Sequence, residues 1–256
     1  MTDLTDALYK LARTGALDEF EWVALSADER SDVDEGLALQ LDVLARWRAD
    51  GARRAGWKVG LTSGGSRDGM GTGVRPFGFV LADRLIASGA TITPWHGATI
   101  EPEICVVIGT DLRGADVTPQ QARAALSAVA PAFEILTPRL PDGMSQVVRL
   151  GHDLNNWGIV VGPEHSPDVD LTTIRVTATA DGVEAGSVVT GPELLDDPYV
   201  SLSRVCGRLA KQGEYLHAGD RVITGSLLPT AKAEPGSTWR AEFAPIGTVS
   251  VTFGAA

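Results

Sequence analysis

Leu4, Leu8 and Leu11 recur at three- and four-residue spacing before Gly15, which predicts an amphipathic helix closed by a left-handed glycine. A longer helix is predicted through Leu37, Leu41, Leu44 and Trp47, ending at Gly51. Beyond Gly51 the apolar period shortens to that of strands. The runs 100–108, 132–136, 158–161, 173–180, 221–224, 239–243 and 248–253 read as β, with Asp181-Gly182 as a hairpin turn. Two helices interrupt them. One starts at Thr118, a cap followed by Pro119 and completed by Gln121, with Ala122, Ala125, Leu126 and Val129 as its apolar face. The other runs from about 198 to 212, turns Leu202, Val205, Cys206 and Leu209 inward, and stops at Gly213. The pattern predicts an α+β fold: a helical N-terminal part over 1–55 leaning on a β-rich core over 56–256 that acts as a single functional unit.

Composition narrows the partners. The chain has 256 residues, 44% apolar and 21% charged, enough for one sizeable core of ordinary globular make-up. Lys plus Arg number 22 against 33 Asp plus Glu, and a net charge of -11 repels phosphate backbones, so nucleic acid is not expected as a partner. Cys105 and Cys206 are too few for a disulfide framework or a cysteine metal site, and both sit in apolar stretches. The start MTDLTDALYK carries acids where a signal peptide has bases, and no run reaches the roughly 20 apolar residues of a membrane span. A cytoplasmic protein without a membrane partner is expected.

Acidic residues inside apolar strands carry the first chemical signal. Residues two apart on a strand share a face, so Glu101 and Glu103 aim together, just before the apolar run 104–108. Like charges entering a core repel and lose hydration, and the pair requires a cation, a shared proton or solvent. Glu134 repeats the anomaly between Phe133 and Ile135. Three carboxylates, with waters and a bidentate ligand, complete the octahedral oxygen shell preferred by Mg²⁺ or Mn²⁺. Spacing alone leaves a second reading open, with Glu101 and Glu103 on a solvated edge and Glu134 paired with Arg139 or a lysine. Lys58 lies between Trp57 and Val59, with Gly56 and Gly60 allowing close backbone approach. Such a lysine binds a substrate carboxylate, shuttles a proton, or snorkels to the surface. The strand ending at Gly225-Ser226 can offer a backbone N–H and a hydroxyl to an anionic group.

In this order, the stretches GWKVGLTS (56–63), FGFVLADRL (77–85), IEPEICVVIGTDL (100–112), PAFEIL (131–136), GDRVITGSLLP (219–229) and WRAEFAPIGTVSVTF (239–253) resemble the fumarylacetoacetate hydrolase superfamily. The closest likeness is to its branch of 2-hydroxypenta-2,4-dienoate (2-keto-4-pentenoate) hydratases and 4-oxalocrotonate decarboxylases. The resemblance implies a mixed β-roll core, a homo-oligomer, and Mg²⁺ or Mn²⁺ held by Glu101, Glu103 and Glu134. It implies Lys58 as the active-site lysine and Asp83 as an acid near the pocket, with Ser63, Gly225 and Ser226 joining Lys58 in binding a small 2-oxo acid. Association with a pathway aldolase or with a hydratase/decarboxylase counterpart fits the same branch. One segment departs: hydratases of this type carry an Asp-Asn-Ala-Ser-like stretch where this chain has His152-Asp153-Leu154-Asn155-Asn156-Trp157. The glycine-rich residues 64–76 also differ and read as a lid.

The leading expectation is a hydratase that converts a 2-hydroxy-2,4-dienoate or its 2-oxo-enoate tautomer into a 4-hydroxy-2-oxo acid. Lys58 then holds the substrate carboxylate or relays a proton, and His152 or Asp153 is the candidate base for water. The runner-up is decarboxylation of a 2-oxo-3-enedioate such as 4-oxalocrotonate, with Arg67 and Arg75 available for the distal carboxylate. A C–C bond hydrolase of acylpyruvates ranks lower, because such enzymes use a His–Glu pair and no histidine motif precedes Gly60. A silent binding homologue is the remaining alternative, opposed by the retention of three converging carboxylates.

Overall fold

The computed structural model describes residues 3–94 and 97–255. Three helices open the chain: α1 (Leu4–Thr14), α2 (Glu19–Ser26) and α3 (Val33–Ala49), each started by an aspartate cap at Asp3, Asp18 or Asp32. Gly15 takes φ 74° and closes α1 as its position predicts. Helix α2 has no counterpart among the expected elements. Phe20 and Val23 are 80% and 61% exposed, so α2 shows no inward apolar stripe to read; its sequence signal is the Asp18–Glu21 capping box.

The β region contains β1 (Arg54–Val59), β2 (Phe77–Leu81), β3 (Leu85–Ala87), β4 (Thr91–Ile92), β5 (Thr99–Ile108), β6 (Leu126–Leu136), β7 (Asn156–Val161), β8 (Arg175–Ala180), β9 (Val183–Val189), β10 (Arg221–Ser226), β11 (Ala231–Lys232), β12 (Thr238–Ala244) and β13 (Gly247–Phe253). Helices α4 (Pro119–Ala124), α5 (Gln146–Gly151) and α6 (Pro198–Lys211) interrupt it. One sheet runs β2-β1-β10-β5-β6-β7-β3, with β11 added beside β5, and the other runs β4-β13-β12-β8-β9. Parallel and antiparallel pairs mix in both, and neither sheet closes on itself, which is the α+β architecture expected. No helix among the described residues is long and apolar enough to cross a membrane.

Helix α4 is shorter than predicted. It ends at Ala124, and Leu126 and Val129 belong to β6, where they face Ile108 and Val106 of β5. The alanine-rich stretch fits either period, and pairing with β5 decides it. Alternation along β5 then sorts the two faces of the large sheet. Ile100, Ile104, Val106 and Ile108 enter the main core with Trp57 and Phe77, whose rings meet edge to face at 5.2 Å. Glu101, Glu103 and Cys105 point the other way, where Cys105, Ala130, Ala132 and Ile223 form a smaller apolar cluster beside the glutamates. Buried Gln40 of α3 donates to Phe77 O at 3.0 Å and Leu150 O at 2.9 Å, tying the helical part to β2 and α5.

Candidate metal centre

Strands β5 and β6 pair antiparallel with Glu101 directly opposite Glu134, and Glu103 sits two residues further along the same face. One oxygen from each of the three carboxylates lies within 4.8 Å of the others. Glu103 and Glu134 are only 2% and 3% exposed. Burial, then the charges of Glu134 and Glu101, push the Glu103 carboxyl well above the usual carboxylate range. Burial also raises Glu134, against the pull of Lys58. Mutual repulsion in a dry site is the condition a cation relieves. Three carboxylates offer only hard oxygen donors, so the residues fit a divalent cation of the Mg²⁺ type, with room left for water or ligand oxygens.

Hydrogen bonds fix each donor. Gly225 N–H donates to Glu103 Oε2 at 2.6 Å, and the Thr230 hydroxyl donates to Glu101. Lys58 Nζ donates to Glu134 Oε1 at 2.6 Å and to Leu154 O at 3.3 Å. Lys58 is 6% exposed and therefore does not snorkel. Burial disfavours its charge most, but the surrounding carboxylates, Glu134 first and then Asp153 and Glu101, together outweigh that and the net shift is upward. Two glycines make the assembly possible. A Cβ at Gly78 would lie 2.7 Å from Lys58 Cγ and 2.8 Å from Asp153 Oδ1. Gly225 has φ 118°, and a Cβ there would meet Thr62 Oγ1 at 1.7 Å.

The glutamates, Lys58, Ser63, Gly225 and Ser226 all line one cleft of about 910 Å³. The Gly225 N–H is committed to Glu103 and the Ser226 hydroxyl donates to Leu228 O at 2.6 Å, so neither is open to an anionic group as the sequence suggested. Asp153 lies outside the cleft lining, behind Lys58, accepting from Phe79 N–H at 2.8 Å. Burial pushes its carboxyl well above the usual range, with Lys58 opposing. His152 lines a separate small cavity between α1, α3 and the sheet; burial lowers it to about 4 and leaves its Nε2 without a partner. Asp83 is exposed on a short 3-10 turn and does not line the cleft. Arg67 and Arg75 are committed elsewhere: both hold Asp196 at 2.5 Å, and Arg75 also holds Asp68 at 2.7 Å. The residues 64–76 are thus pinned by an ion network at their base.

Three site features have no signal in the spacing of the sequence. Thr230 follows the matched stretch by one residue, and Arg149 stands at a helical position that carries no motif. The Leu154 carbonyl is aimed at Lys58 by three successive left-handed residues, Asp153, Leu154 and Asn155, with φ 56°, 51° and 65°. Such a run of non-glycine residues is costly and is held by Phe79 N–H on Asp153 and by Thr137 N–H on Asn155 O.

Fold and site together set three facing carboxylates and a buried lysine on the inner strands of a mixed sheet. The chain belongs to the fumarylacetoacetate hydrolase family, whose description, Fumarylacetoacetate (FAA) hydrolase C-terminal, matches residues 69–253. It is 32% identical over 231 residues to a 4-oxalocrotonate decarboxylase of Pseudomonas sp, covering 88% of this chain and 89% of that protein. It is 28% identical over 228 residues to a 2-hydroxyhexa-2,4-dienoate hydratase of Comamonas testosteroni, covering 86% of each. Among solved structures, 4-oxalocrotonate decarboxylase from Pseudomonas putida G7, complexed with magnesium and adipate, superposes with a TM-score of 0.80 at 23% identity, over 98% of this chain and 99% of that one.

Proposed function

We propose that this chain is a divalent-cation-dependent hydratase, using Mg²⁺ or Mn²⁺, that adds water to a 2-hydroxy-2,4-dienoate or its 2-oxo-enoate tautomer to give a 4-hydroxy-2-oxo acid. The observation that carries the reading is the buried Lys58 at 2.6 Å from Glu134, beside two further carboxylates in one cleft. A cation held by Glu101, Glu103 and Glu134 supplies positive charge where negative charge develops on the 2-oxo oxygen. Lys58 is anchored by Glu134 and Leu154 O, so its remaining N–H faces the cleft to hold the substrate carboxylate or carry a proton between carbon positions. Water adds its oxygen at C4 and its proton at C3 of the conjugated enone. Asp153, behind Lys58, acts as a positioning residue that orients the turn carrying Leu154 O.

Decarboxylation of a 2-oxo-3-enedioate is the second reading, favoured by the 32%-identical decarboxylase relative. Purified protein supplied with Mg²⁺ or Mn²⁺ and offered both substrate types decides between them. Formation of the 4-hydroxy-2-oxo acid without CO₂ is expected; CO₂ release from the enedioate as the faster reaction transfers the assignment to decarboxylase. Lys58→Met should lower kcat by about 10² or more, the usual contribution of a positioned proton-transfer group. Cation binding should persist in that variant, because removing Lys58 leaves the three carboxylates intact. Retained turnover in Lys58→Met sinks the role given to the lysine.

A further inference from the structure

Gln40 of α3 has no exposure to solvent, and its amide N–H bonds are spent on backbone carbonyls of two other elements. One acceptor, Phe77 O at 3.0 Å, belongs to the peptide that leads into Gly78 of β2. The other, Leu150 O at 2.9 Å, lies in the last turn of α5, just ahead of the left-handed residues 153–155. Lys58 is lodged between these same two elements. Gly78 stands opposite Lys58 in the β1–β2 register, so close that a Cβ there would meet the lysine stem. Beyond α5, Leu154 O accepts from Lys58 Nζ, and Phe79 N–H of β2 donates to Asp153. Gln40 thus closes from the helical side a frame that Phe79 and Asp153 close from the other. Its seat is tight, since a Cβ at Gly36, one turn earlier on α3, would lie 2.7 Å from Leu150 Cδ1. Gln40 Oε1 meets no donor among the described residues, so what the amide contributes lies in its two donors.

We propose that Gln40 is a positioning residue for Lys58: its amide fixes the spacing between β2 and the turn after α5, and that spacing sets where the ammonium stands beside Glu134. This rests on the proton-transfer role given to Lys58 and extends that role's scaffold into the helical part of the chain. Lys58 Nζ reaches Glu134 at 2.6 Å but Leu154 O only at 3.3 Å, so the turn side of the frame is its looser contact. A misplacement of about 1 Å at a reacting group costs up to about a hundredfold in rate. Glu101 and Glu103 are held by the Thr230 hydroxyl and the Gly225 N–H, outside this frame, so cation affinity should change far less than rate.

The test compares Mg²⁺-loaded whole chain carrying Gln40→Met, Gln40→Glu or the packing control Leu44→Ala, each assayed well below its melting temperature. Gln40→Met keeps the length and removes both donors, and kcat should fall about tenfold while KM and the Mg²⁺ Kd change far less. Gln40→Glu keeps the shape and, as a neutral acid in a dry seat, one donor, so it should lose less. Leu44, equally buried on the same helix, gives a variant that should lose stability and keep kcat within about twofold. In the Lys58→Met background, Gln40→Met should lower the residual kcat less than twofold, because its effect passes through the lysine. A crystal structure of Mg²⁺-loaded Gln40→Met should show Lys58 Nζ out of hydrogen-bond reach of Leu154 O. The same tenfold loss with and without the lysine overturns the proposal, as does a kcat loss in Leu44→Ala equal to that in Gln40→Met. The two failures separate: a displaced Lys58 without any hydration rejects only the hydratase reading. Hydration at the wild-type rate with Lys58 unmoved in Gln40→Met rejects only the role of Gln40.

Discussion

Replacing Glu103 with glutamine changes one charge and almost no volume. The amide oxygen can still accept the Gly225 N–H that now sits 2.6 Å from Oε2, and the new NH₂ can donate toward Glu101 or Glu134. Burial and two neighbouring carboxylates raise the Glu103 carboxyl above its ordinary value, so the folded state binds the proton more tightly than the unfolded chain does. Stability therefore falls as pH rises through the unfolded value near 4.5, and the penalty is fully present above the folded value. Each unit of that rise costs about 1.4 kcal/mol, and an incompletely paired buried charge costs several kcal/mol before relaxation. With Lys58 offsetting part of it, Glu103→Gln should stabilise the cation-free protein by about 2 kcal/mol. In a domain of this size that is a rise in Tm of roughly 4–8 °C. Added cation reverses the ranking. At a hundredfold over Kd it stabilises wild type by about 2.7 kcal/mol, and the variant gains little. Thermal unfolding with EDTA and then with millimolar Mg²⁺ or Mn²⁺, beside a turnover assay, reads both effects. A variant that melts several degrees lower without cation, keeps the cation-induced rise and keeps turnover would refute the whole account of the cage.

Gly78→Ala places a methyl 2.7 Å from Lys58 Cγ and 2.8 Å from Asp153 Oδ1, so kcat should drop about tenfold or more with a loss of about 1–3 kcal/mol in stability, and wild-type kcat would show that the lysine has slack. His152 is held neutral by burial with its value lowered to about 4 from 6.5, so between those limits the unfolded chain binds more protons and stability rises with pH, by about 3 kcal/mol in total. Urea melts across that window should show a flatter slope for His152→Gln than for wild type; parallel slopes would place the acid sensitivity elsewhere.

Much of this was legible in the sequence, for identifiable reasons. Glu101, Glu103 and Glu134 stand out because a carboxylate inside an apolar strand violates the alternation that strands otherwise obey, and the register sets Glu101 against Glu134 as the clash requires. The alternative pairing of Glu134 with a lysine is present in the structure too, and the two readings are compatible, because Lys58 holds one oxygen of a carboxylate that still faces its partners. Other features depend on contacts between remote segments and leave no local trace. Strand β6 begins where an alanine-rich stretch fits either period, and Arg67 and Arg75 are neutralised by Asp196 from 121 or more residues away. His152 and Asp153 are adjacent in sequence, but the left-handed residues beginning at Asp153 turn one toward the helices and the other toward Lys58.

The segment from Gln146 to Asn155 gathers the consequences of that turn. Arg149 on α5 meets the cleft at its wall, and five residues later the Leu154 carbonyl holds the lysine beside the glutamates. The strained residues between them leave little freedom to move one without the other, since Asp153 is tied to β2 and Asn155 to the end of β6. A substitution that relaxes the turn therefore shifts Lys58 and the wall together and changes rate and substrate choice in the same variant. The three glutamates stand on β5 and β6, which pair through ten registered positions, but Glu134 accepts from Lys58 and so shares in such changes. Glu103 and Glu101 are fixed instead by the Gly225 N–H and the Thr230 hydroxyl, so they are the two carboxylates least exposed to a change in that turn.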